Sequence, residues 1–103
     1  MALSEALKCN ALIREVDLGS NSIGRLGAEA LAEALKVNSA LVEVHLSSNK
    51  IGDTGAIAIA EALHVNETLE TIDLDENEIG DAGAMALAQA LQVCVCVCVC
   101  SID

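Results

Sequence analysis

The sequence predicts an α/β solenoid: three full copies of a 28-residue strand–helix unit, preceded by a partial copy. Three observations predict it. The run Ile13-x-x-Val16-x-Leu18-x-x-Asn21-x-Ile23-Gly24 returns without a gap as Leu41 to Gly52 and again as Leu69 to Gly80. Within each copy, two apolar residues stand two apart, the spacing of one face of a strand. A second block follows in which apolar residues recur at i, i+3, i+4 and i+7, the spacing of one helical face. Self-similarity at such a period marks an array in which each unit buries its apolar face only against its neighbours.

Each element follows in order. Leu3 to Leu7 match the end of the helical block, so residues 1–12 read as a partial repeat, with full repeats starting near 13, 41 and 69. The strands are centred on Val16 and Leu18, Val44 and Leu46, and Ile72 and Leu74. The residues between them face the other way. The helical stripes are Ala28, Leu31, Ala32 and Leu35, then Ala56, Ile59, Ala60 and Leu63, then Ala84, Leu87, Ala88 and Leu91. Small Ala at half of these positions allows a close approach to the sheet. Asp53 and Asp81 follow a glycine where a helix N-cap belongs, and Arg25 takes that place in the first repeat. Asn38 and Asn66 end the helices, where a left-handed residue is expected.

Asn21, Asn49 and Asn77 recur where the chain turns away from each strand, leaving backbone groups that no regular ladder satisfies. An inward amide carries both donors and an acceptor, so these residues read as a structural ladder between coils. Leaving such a group unpaired costs roughly 1–3 kcal/mol.

The pattern LxxLxLxxNxIGxxGAxxLAxAL, carried by residues 13–35, 41–63 and 69–91, resembles the leucine-rich repeat, in its ribonuclease-inhibitor-like class with 28-residue units. The resemblance implies a horseshoe with a parallel sheet on the concave side and helices on the convex side. Ribonuclease inhibitors, Ran GTPase activators and the sensor arrays of NOD-like receptors share that form. The run DLxxNxIGxxGAxxLAxALxxN is most similar to the receptor-type arrays.

Residues 1–93 therefore form the expected array, and residues 94–103 a Val-Cys tail expected to lie outside the fold. Capped solenoids end in atypical polar coils, and nothing here has that composition. The expectation is a fragment of a longer array, marginally stable alone. The tail reads in two ways. Alternation puts thiols on one strand face at Cys-x-Cys spacing, which suits soft metals. Alternatively, GTG and TGT encode Val and Cys, so an uninterrupted GT tract translates as this string. The second reading is the stronger, because Cys94 replaces the Asn that the period demands. As a peptide the tail is β-prone and uncharged, an aggregation hazard.

Composition narrows the function. The 103 residues carry 5 Lys plus Arg against 16 Asp plus Glu, a formal charge of −11. Phosphate-rich partners, nucleic acid and anionic membranes alike, are repelled by that balance. With no Phe, Trp or Tyr, base-stacking platforms and aromatic cages are excluded. The N-terminus lacks the basic and apolar regions of a secretory signal. Four of five Cys crowd into the tail rather than spreading through a disulfide scaffold, so a reducing cytoplasm is expected.

Chemistry is sparse. His45 lies between Val44 and Leu46 and points outward, while His64 occupies an exposed helix position. No nucleophile–base spacing, HExxH or paired ligand motif occurs, so no enzyme, cofactor or metal is expected. Gly52-Asp-Thr-Gly55 lacks the ending of a phosphate loop. Cys9 aligns with Val37 and Val65 and reads as apolar packing.

What remains is surface. Outward strand positions are Glu15, Asp17 and Gly19, then Glu43, His45 and Ser47, then Thr71, Asp73 and Asp75. Arg14, Val42, Glu70 and Glu76 flank them. Such a face is either a solvated acidic surface that keeps the chain soluble or a concave contact surface for a basic protein partner. The function expected is a non-catalytic protein-interaction module. The alternatives are a Ran-type GTPase-activating accessory, for which Arg25 is the candidate residue, and a truncated product without independent function.

Overall fold

The computed structural model describes residues 13–93 and 99–102, with side chains described for residues 13–90. The partial repeat at 1–12, Cys9 within it, and residues 94–98 and 103 lie outside the described residues. Strands and helices alternate as β1 (Glu15–Asp17), α1 (Gly24–Val37), β2 (Glu43–His45), α2 (Gly52–Val65), β3 (Thr71–Leu74), α3 (Asp81–Val93) and β4 (Val99–Ile102). The strands form one open parallel sheet in chain order. Register follows the 28-residue period: Val16 pairs with Val44 and Val44 with Ile72. A helix follows each of β1 to β3 because only the outer face of the sheet reaches water, while Val44, Leu46, Ile72 and Leu74 are sealed beneath the helices.

The core is a row of aliphatic layers. Leu31 and Leu35, Ile59 and Leu63, and Leu87 project from the helices. Leu41, Leu69, Ile51 and Ile79 close the turns. The helical stripe is wider than i, i+3, i+4, i+7, for Ala34, Ala62 and Ala90 are also fully buried. Each helix packs both on the sheet and on at least one neighbouring helix, so its contact arc exceeds that of a helix lying on a single surface. At the C-terminal side the arc narrows: Ala84 is half-buried and Ala88 exposed. Burial falls off likewise at the first coil, where Val16, Leu18 and Ile23 are only partly covered and Ile13 is 39% exposed.

Two local expectations are corrected. Neither α1 nor α2 carries a side-chain N-cap; Ile23 and Ile51 stand at those positions. Asp53 reaches instead into the next coil, where its Oδ1 accepts the Gly80 N–H at 2.6 Å and the Gly83 N–H at 3.1 Å. It caps the helix of its neighbour, because stacking brings α3 beside α2. Asn38 and Asn66 are not left-handed but extended, with φ near −80°. Their Oδ1 atoms accept the N–H groups of Ala40 and Leu41, and of Thr68 and Leu69. Left-handed backbone lies elsewhere, on either side of each ladder asparagine: Ser20 and Ser22, Ser48 and Lys50, and Glu76 and Glu78.

The C-terminal tail also departs from expectation over part of its length. Residues 99–102 form β4, parallel to β3, with Cys100 opposite Ile72 and Ile102 opposite Leu74. The open edge of β3 accepts any strand-forming segment at the right distance, and alternating β-branched residues qualify whatever their coding origin.

Candidate functional site

The ladder asparagines hold the coils in register and so set the spacing of everything on the sheet. Asn49 and Asn77 are fully buried. Asn49 Oδ1 accepts the Asn21 N–H at 2.8 Å and the Ile23 N–H at 3.2 Å. Its Nδ2 donates to the carbonyls of Leu18, Leu46 and Ser47. Asn77 repeats the arrangement one coil on, accepting from the Asn49 and Ile51 N–H groups and donating to Leu46 and Asp75. Asn21 is exposed and donates to Gly19. A second row, which sequence reasoning did not assign to site or ladder, joins the coils at the helix ends. There Asn66 Nδ2 donates to the carbonyls of Leu35 and Asn38. The signal for it was present: Asn38 and Asn66 recur at the same 28-residue interval.

With register fixed, the outward strand residues line up in rows. Glu15 stands beside Glu43 and Glu43 beside Thr71; Asp17 stands beside His45 and His45 beside Asp73. Neighbouring strands lie about 4.8 Å apart, so each row places polar groups side by side. Glu15, Asp17, His45, Ser47 and Asp73 line an open groove of about 340 Å³. Asp17 and Asp73 are each held by a local turn, their Oδ1 atoms accepting the Gly19 and Asp75 N–H groups at 3.0 Å. Thr71, Asp75 and Ser47 are half-buried within the same surface.

His45 is drawn toward the carboxylates. Its Nε2 lies 3.5 Å from Glu15 Oε2 and 3.8 Å from Glu43 Oε1. Ligand atoms of Glu15, Glu43 and His45 all fall within 4.8 Å of one another. No ligand motif marks this grouping along the chain, because Glu15 comes from the neighbouring coil, 28 residues from Glu43. His64 stays exposed on α2, apart from this surface.

On the helical side the charges are locally paired. Arg25 lies 3.5 Å from Glu29, and Lys36 lies 2.9 Å from Glu33. The hydrogen bond and charge of Glu33 raise the Lys36 ammonium above its ordinary pKa. A second groove, of about 410 Å³ and lined by Glu29, Glu33, Thr54, Ile57, Ala58 and Glu61, lies on this side. Glu29 and Glu33 are already answered by cations there, so the less neutralised negative field is that of the sheet. No helix among the described residues is long and apolar enough to cross a membrane.

A family profile described as "Leucine Rich repeat" matches three tandem stretches, residues 9–32, 37–60 and 65–88. The chain belongs to the leucine-rich-repeat family. Among solved structures, this leucine-rich-repeat chain is similar to leiomodin-1 actin-binding site 2, with a TM-score of 0.89 and 27% identity over 97% of this chain and 59% of that one. It is also similar to the tropomodulin C-terminal domain from Caenorhabditis elegans, with a TM-score of 0.87 and 15% identity over 99% of this chain and 62% of that one. The latter likeness is one of fold alone. The leucine-rich-repeat chain thus spans about three-fifths of the length of either structure. No curated protein matches its sequence significantly.

Proposed function

We propose that the chain is a non-catalytic protein-interaction module, a segment of a longer cytoplasmic array of the ribonuclease-inhibitor-like, receptor type. Its acidic concave face meets a basic protein partner. The observation that carries this reading is the alignment of Glu15 with Glu43, and of Asp17 and Asp73 around His45, on one open sheet face. Carboxylates in such rows give a field that steers positively charged partners and makes association salt-sensitive. Without aromatic anchors, affinity rests on charge and shape, so a fast and reversible contact is the natural outcome. Stopped-flow association with a lysine-rich peptide tests it. The rate is expected to fall steeply with added salt, and to fall again in an Asp17→Asn/Asp73→Asn variant at fixed salt. A rate indifferent to both changes would overturn the reading.

A second reading is favoured by the likeness to leiomodin-1 actin-binding site 2, which exceeds one residue in four in identity over nearly the whole chain. In this reading the partner is actin. Co-sedimentation with filaments, together with fluorescence titration of actin monomers, tests it; no binding in either form removes it. The Ran-type alternative rests on Arg25 alone, and that guanidinium is already engaged with Glu29. GTP hydrolysis by Ran, unchanged on adding the chain, removes that alternative too.

A further inference from the structure

We propose that Glu15, Glu43 and His45 form a binding site for a divalent transition-metal cation, with zinc the best fit. A local conflict marks the position. Glu15 and Glu43 are directly opposite on adjacent strands, and like charges in that relation repel. The same imidazole stands near both, its Nε2 3.5 Å from one carboxylate and 3.8 Å from the other. This imidazole nitrogen, close to an oxygen of each carboxylate, distinguishes the group from a patch of acids.

The donor set selects the ion. Zinc accepts imidazole nitrogen and carboxylate oxygen at about 2.0–2.2 Å in a tetrahedral arrangement, which separates ligand atoms by roughly 3.3–3.6 Å. Both imidazole–carboxylate distances are within a few tenths of an ångström of that range. All three donor atoms lie within 4.8 Å of one another, and the side chains of Glu15 and Glu43 are 61% and 44% exposed. Rotation of these solvent-exposed carboxylates closes the remaining distance without disturbing the core. Two carboxylates and a neutral imidazole balance a charge of +2. Calcium asks for six to eight oxygens and magnesium for near-octahedral oxygen geometry, so an imidazole-centred, three-donor site discriminates against both. Glu15 and His45 also line the open groove beside Asp17, Ser47 and Asp73, from which water can complete the shell.

This site goes beyond the partner-binding reading, since the cation binds the chain alone. Imidazole NMR on the full chain tests it, with zinc titrated after the cysteine thiols are blocked with iodoacetamide. His64 serves as the internal reference. The His45 ring signals are expected to move and saturate at one equivalent while those of His64 stay still. A Glu15→Gln/Glu43→Gln variant, altered only at accessible positions and checked for unchanged circular dichroism, is expected to bind at least about tenfold more weakly. Magnesium at the same concentration is expected to leave His45 unmoved. Parallel movement of both histidines, indifference to the glutamine substitutions, or an equal response to magnesium would each overturn the proposal. Because no protein partner is present, none of these outcomes bears on whether the concave face recognises one.

Discussion

Replacing Asn49 by Ala removes five hydrogen bonds from the centre of the array, but the structure decides how many of them matter. The Leu46 carbonyl keeps the Asn77 amide at 2.8 Å, and the Ser47 carbonyl keeps the Ser20 N–H at 2.8 Å. The Asn21 N–H belongs to an exposed residue and turns to water. Two groups are left unanswered, the Ile23 N–H and the Leu18 carbonyl. At roughly 1–3 kcal/mol for each unsatisfied group, the expected loss is about 2–6 kcal/mol. A small domain has only about 5–15 kcal/mol to lose. Asn21→Ala is the control: an exposed side chain with one bond to Gly19, expected to cost no more than about 0.5 kcal/mol. Urea unfolding followed by circular dichroism at 222 nm, with comparable slopes for the three proteins, measures both. If Asn49→Ala unfolds within 0.5 kcal/mol of the parent, or if the two asparagines prove equivalent, the inter-coil ladder is not what holds the stack.

Three further outcomes are expected from the same unfolding assay. Gly55→Ala places a methyl 2.5 Å from Ile51 Cγ2 and 3.0 Å from Ala28 Cβ. Overpacking of about 1–3 kcal/mol then outweighs the gain of up to about 1 kcal/mol in helix propensity; a more stable variant would show that the turn yields freely. Asp53→Ala strips the cap from the neighbouring helix and should cost about 0.5–2 kcal/mol. Asp53→Asn, which keeps an accepting oxygen, should cost less, and equal losses would show that charge rather than the hydrogen bonds carries the effect. Lys50 is exposed with φ of +58°, a conformation that burdens any residue with a Cβ. Lys50→Gly should therefore be neutral to stabilising, by at most about 1 kcal/mol, and a clear loss would reveal a role for the lysine side chain.

Much of this molecule is legible along the chain because a solenoid's long-range contacts are its local pattern repeated. The strand centres, the buried apolar rows, the ladder residues and the outward polar positions follow from a 28-residue interval and two periodicities. Misreadings occurred where one coil uses another. Asp53 looked like the cap of its own helix, and only stacking turned it toward Gly80 and Gly83. Asn38 and Asn66 looked like left-handed stops, yet their amides do the turning while the backbone stays extended. Residues 99–102 looked extraneous, although any strand-forming segment can extend the open edge of β3.

The sequence by itself determined the repeating unit, the direction each strand side chain faces and the excess of negative charge, since all three are properties of one coil. Only the tertiary structure decided which groups on different coils meet. Glu15 and Glu43 approach one imidazole, and Asn49 serves two turns at once, because parallel in-register stacking converts a separation of 28 residues into a single inter-strand step.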